Sequence, residues 1–165
     1  MSSVERVSGL SEQFVTVIAE PKDVATEALG WQDAGLVVRA VRGPKTRTIT
    51  GFFDEFAAAF QFPYYFGENW AAFQDCVSDL SWLPFRPGVV VLIYGAGQVL
   101  ADAHSAELPT LVQVLSSAAD EFAHPVNDGE WWDRDAVPFH VVLQGFAGGD
   151  FERWSSAGAN LAPMT

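Results

Sequence analysis

The sequence predicts an α/β fold, a three-stranded parallel sheet covered by helices, on three observations. Strand and helix signals alternate along the chain. One run, Val89 to Tyr94, is apolar at every position, the pattern of a strand buried on both faces. Finally, 49% of the 165 residues are apolar, enough for one domain with a substantial core and too many for a disordered chain.

The elements follow in order. Phe14 to Ala19 alternates apolar and polar residues as a strand does, and Pro21, suited to a first helical position, opens a helix that ends near Gly30. These lie in an N-terminal extension, residues 1–35, which contributes a further strand signal ahead of the main domain at 36–144. Leu36 to Val41 reads as that domain's first strand. Gly51 to Gln61 reads as a helix because Phe52, Phe53, Phe56 and Phe60 recur at helical spacing. Val89 to Tyr94 supplies the central strand and Pro109 to Phe122 another helix. Pro138 marks the start of a final strand, Phe139 to Gln144. Residues 145–165, rich in Gly, Ser and Ala, read as a flexible C-terminal tail.

Composition narrows the function classes. The longest apolar run is far too short to cross a bilayer, and Glu5 and Glu12 stand where a signal peptide needs basic and then apolar residues, so a cytoplasmic protein is expected. The one cysteine, Cys76, has no CxxC partner and falls on the apolar side of a helical pattern, which predicts a buried, inert thiol. Twenty-one acidic against nine basic side chains give a net charge of −12, which disfavours nucleic acid and anionic membranes as partners. The charge is also uneven. Residues 36–50 carry Arg39, Arg42, Lys45 and Arg47 with no acid, whereas 51–85 carry Asp54, Glu55, Glu68, Asp75 and Asp79 with no base. Such asymmetry suits either a solvated surface or a docking face for a basic partner.

The most unusual stretch runs Phe62, Pro63, Tyr64, Tyr65, Phe66, Gly67, Glu68, Asn69, Trp70. Pro63 holds Phe62 extended and stops the preceding helix, Gly67 permits a backbone turn, and Asn69 is a natural N-cap. From Trp70 the spacing is helical. Phe73, Cys76, Val77 and Leu80 fall on one face, and Ala71, Gln74, Asp75 and Ser78 on the other, centred near Asp75. A loop of consecutive aromatics leading into a helix that presents a carboxylate suits insertion into a basic cleft.

At these residues the chain resembles the barstar family, intracellular protein inhibitors of barnase-like ribonucleases. The motif appears without gaps as Pro63, Tyr65, Phe66, Gly67, Asn69, Asp75 and Cys76, and weaker similarity runs from about Leu36 to Leu143. The resemblance implies a barstar-like domain at 36–144 whose helix and preceding loop plug a ribonuclease active site, with Asp75 occupying the substrate-phosphate position. The partner-binding set it implies is Tyr65, Phe66, Gly67, Asn69, Gln74, Asp75, Ser78 and Asp79. The expected partner is a basic extracellular ribonuclease, bound by a chain that is monomeric when free, with no cofactor and no metal. Three positions depart from the family: Ala71 replaces an aspartate, Gln74 a tryptophan and Ser117 an acidic residue.

Two other readings compete. The fold could serve as an interaction module for a non-nuclease partner, the changes at Ala71 and Gln74 having removed nuclease specificity. An enzyme is disfavoured, because no nucleophile elbow, phosphate-cradling glycine loop, HExxH or cysteine–histidine metal spacing is present. His104, His124 and His140 are scattered, and His140, within an apolar strand, reads as a core histidine. The acids Asp128, Glu130, Asp133 and Asp135 around Trp131 and Trp132 lack the ligand spacing of a calcium loop and read as a solvated insertion.

Overall fold

The centre of the fold is built from runs of β-branched and aliphatic residues that have no polar face. In the computed structural model, which describes residues 1–164, the elements run α1 (Ser3–Ser8), β1 (Phe14–Ile18), α2 (Pro21–Asp33), β2 (Val37–Arg42), α3 (Ile49–Phe60), α4 (Trp70–Asp79), β3 (Val89–Tyr94), α5 (Glu107–Ala123), β4 (Phe139–Gly145), α6 (Gly148–Ser156) and β5 (Leu161–Pro163). The strands form one sheet in the order β2-β3-β4-β1-β5, with every neighbouring pair parallel. The three expected strands are there in register, Val37 opposite Val89 and Val89 opposite Phe139. The sheet is nevertheless five-stranded rather than three-stranded. The extension's β1 pairs with β4, Phe14 opposite Val141, and β5 pairs with β1.

Crossover handedness explains the layering. The connections through α3 and α4, through α5 and through α6 all step across the sheet in one direction, and the connection through α2 steps back. Right-handed crossovers in opposite directions must lie on opposite faces. Accordingly, Val89, Val91, Ile93, Val141 and Leu143 pack beneath residues of α3 to α6, whereas Val90, Leu92 and Val142 pack against Val24, Ala28 and Trp31 of α2 and Val7 of α1. A strand covered on both faces loses its alternation, as β3 does.

Residues 145–164 are not a loose tail. Phe151 and Trp154 are buried, and Trp154 Nε1 donates to the Ala96 carbonyl at 2.9 Å. Arg153 donates to the carbonyls of Gly97 and Val99 at 2.9 and 3.0 Å, and β5 closes the sheet. His140 is buried with its ring nitrogens 2.7 Å from the Gly9 carbonyl and 3.2 Å from that of Glu12, and burial holds its pKa below the usual histidine value. Among the described residues no helix is long and apolar enough to cross a membrane.

Candidate functional site

The motif occupies the connection from α3 to α4, and its aromatics separate into two groups. Gln61 ends α3 in the left-handed conformation, and the Phe66 amide donates to the Pro63 carbonyl at 2.9 Å, closing a tight turn. Phe62 and Phe66 turn inward. Their ring centroids lie 5.1 Å apart, and they pack on Phe53, Phe56 and Phe73. Tyr64 and Tyr65, in the middle of the turn, are left outside, 101% and 74% exposed, with their rings edge to face at 5.9 Å. The inward pair thus anchors a loop whose tip is two free phenols.

The turn into α4 runs through Glu68 in the left-handed conformation, with φ of 50°. Gly67 permits it by close approach. A Cβ there would lie 3.1 Å from Asn69 Nδ2, the atom that donates to Gly67's own carbonyl. Asn69 caps the helix as expected, its Oδ1 accepting from the Ala72 amide at 2.9 Å. Trp70 Nε1 donates to Glu107 at 2.6 Å and ties the start of α4 to α5, and Trp82 Nε1 donates to the Phe60 carbonyl at 2.8 Å.

On α4 itself, Phe73, Cys76 and Val77 are buried, and Leu80, left-handed at φ 50°, ends the helix. Ala71, Gln74, Asp75 and Asp79 are exposed, and Ser78 is half-buried. Tyr65, Gln74, Asp75 and Asp79 are therefore exposed on the loop and helix, Phe66 anchors the loop from within, and Gly67 and Asn69, themselves exposed, shape the helix start. Asp75 makes no hydrogen bond or ion pair among the described residues. Asp79 accepts only from the Ser81 hydroxyl, at 3.2 Å. Desolvation, and then the Asp75 and Asp79 carboxylates, push the Cys76 thiol above its ordinary pKa, which disfavours the thiolate a nucleophile would need. The basic residues ahead of α3 do not offset the acids of α4. Arg42 is paired to Glu55 at 2.8 Å and Arg47 to Asp102 at 2.9 Å.

The stretch read as a solvated insertion is exposed as expected. Residues 124–137 form a hairpin-like loop closed by a bridge between Val126 and Arg134, and it displays Trp131 and Trp132 to solvent. The available signal was a Trp-Trp pair in an otherwise polar stretch.

Fold and surface together define a small α/β protein that carries its motif on an outward-facing loop and helix. Residues 36–144 match the family model for barstar, the barnase inhibitor, and the chain belongs to the barstar family. Among solved structures, Cdc6p from Pyrobaculum aerophilum is similar in fold, with a TM-score of 0.55 at 11% identity, covering 97% of this chain and 41% of that one. At that identity the likeness concerns the fold alone. No curated protein matches the chain in sequence.

Proposed function

We propose that the protein inhibits a basic, secreted ribonuclease of the barnase type by laying the Tyr64–Tyr65 tip and the outer face of α4 over the enzyme's active site. Asp75 is the single observation that carries the reading. It is an exposed carboxylate on the outer face of α4, without a hydrogen-bond or ion-pair partner among the described residues, on a helix packed over an aromatic layer. A ribonuclease holds its substrate phosphate with cationic groups, and a carboxylate delivered there on a preorganised helix takes the phosphate's place. Gln74 is exposed beside it on α4, Tyr65 is exposed on the preceding loop, and Asp79 lies one turn further on. On this reading the chain acts as a cytoplasmic monomer that protects the cell making the nuclease.

The test is inhibition of barnase. Because Ala71 stands where the family has a second aspartate, weak inhibition is expected, strengthened by Ala71→Asp, which adds a carboxylate one turn before Asp75. Association should be fast and should slow steeply with added salt. If neither the parent nor Ala71→Asp inhibits, or if association is indifferent to salt, the reading fails. Capture of a regulatory or structural protein in place of a nuclease would assign this surface to an interaction module.

A further inference from the structure

The outer face of α4 is bracketed by two pairs of exposed aromatics. At its N-terminal end lie Tyr64 and Tyr65. Beyond its C-terminal end lie Trp131, 85% exposed, and Trp132, 46% exposed, with indoles edge to face at 5.6 Å. A groove of about 700 Å³ joins this second pair to the helix. Its walls include Ser78 and Asp79 of α4, Phe85, Phe122 and the two tryptophans. Ser78 contributes a hydroxyl oxygen that is shielded from solvent and has no hydrogen-bond partner among the described residues.

The hairpin that displays the indoles is firmly held. Asp133 accepts from the amides of Asp128 and Gly129 at 2.8 and 2.9 Å, and Trp132 Nε1 donates to Asp128 at 2.9 Å. Arg134 donates to four backbone carbonyls and lies over the Phe122 ring at 5.3 Å. The groove's other cation, Arg86, donates to the Asp133 carbonyl. Both guanidinium groups are thus hydrogen-bonded to the backbone; Asp79 lines the groove, and Asp128 and Glu130 are exposed on the hairpin that carries the indoles. The Trp132 indole, held by Asp128, and the Trp131 ring set edge to face against it offer π faces to a cation beside exposed carboxylates.

We propose that the Trp131–Trp132 hairpin and the groove beside α4 are a second contact for the same ribonuclease, taking an arginine or lysine of the nuclease against the indole faces while α4 covers the active site. This inference rests on the function proposed above. It commits to a basic protein because the groove is continuous with the α4 surface and because Asp79 and the exposed hairpin acids Asp128 and Glu130 belong to a chain of net charge −12.

The experiment measures dissociation constants for catalytically inactive barnase with the parent, Trp131→Ala, Trp131→Phe and Asp75→Ala, with melting temperatures recorded for each. Trp131→Ala should bind about tenfold more weakly and melt like the parent, and Trp131→Phe should stay close to the parent because a phenyl face still attracts a cation. If Trp131→Ala binds like the parent while Asp75→Ala does not, the second contact is wrong and the α4 reading stands. If Asp75→Ala is indifferent while Trp131→Ala weakens binding, the groove contact survives and the phosphate-mimic mechanism does not. Absence of binding by the parent overturns both. A Phe variant as weak as the Ala variant, or a free protein that dimerises through Trp131 in sedimentation, overturns the cation-receiving groove.

Discussion

Helices α4 and α6 both carry polar side chains on short amphipathic segments, yet they use them in opposite ways. On α6, Asp150 accepts from the Phe146 amide at 2.9 Å, Arg153 holds two carbonyls of the loop after β3, and Trp154 holds a third. Every one of these groups is engaged by the fold. On α4, Gln74 and Asp75 face outward with no internal partner among the described residues. The contrast separates polar residues that build the molecule from polar residues left available to another one, and it does so without reference to family.

Substitutions can break this comparison. The largest effect on stability is expected at Trp154→Ala, which removes a fully buried ring and strands the Ala96 carbonyl, at a cost of about 3–5 kcal/mol in denaturant unfolding. Binding by the fraction that remains folded should be unchanged. A loss within about 0.5 kcal/mol would mean that α6 is an appendage after all.

Asp75→Ala should do the reverse. Unfolding should shift by no more than about 0.5 kcal/mol, the usual size for an exposed site away from caps and core. Dissociation from the captured nuclease should quicken by an equivalent of about 2–5 kcal/mol, a range for which the barnase–barstar pair is itself a reference case. A variant that melts normally and binds like the parent would remove the free carboxylate from the mechanism.

Asn69→Ala lies between the two classes, since Asn69 both caps α4 and fixes the loop. It should cost about 1 kcal/mol of stability, read as a lowered unfolding midpoint, and should weaken binding only by loosening the helix start. The smallest effect is expected from Glu55, whose carboxyl is held below its ordinary pKa chiefly by the hydrogen bonds from Arg42. A depressed carboxyl contributes stability that is present above its unfolded pKa and lost as pH falls through the folded one. Glu55→Gln should therefore flatten the acid side of the stability profile, read as unfolding free energy against pH. An acid limb as steep as the parent's would mean that the Arg42–Glu55 pair contributes nothing to stability.

Legibility in the sequence followed the same physics. Strands β2, β3 and β4 were readable because burial on both faces demands unbroken apolar runs, and α4 because an asparagine cap precedes apolar residues at helical spacing. The Asp75-centred face emerged directly from that spacing. By contrast, α6 was hidden. It buries only Phe151 and Trp154, and its hold depends on side chains reaching carbonyls around residues 96–99, a pairing with no local trace. Strand β5 is three residues long and ends in proline. The left-handed Glu68 beside Gly67 had no sequence signal either. A glycine ordinarily signals a left-handed turn, but here the close approach of the Asn69 amide selects it, and the strained conformation passes to its neighbour.

The pairing of β1 between β4 and β5 also sets an order of assembly. Strands β2, β3 and β4 are consecutive in the sheet and need only the crossovers between them. β1 must wait for β4, because Phe14 pairs with Val141 across most of the chain's length, and β5 pairs with nothing but β1. Closing so large a loop is entropically costly and slow. During synthesis the middle of the chain can therefore collapse first while the N-terminal strand stays unpaired until the ribosome delivers β4. Strand β5, which follows β4 in the chain, then closes over β1, with Arg6 donating to the Pro163 carbonyl at 2.7 Å.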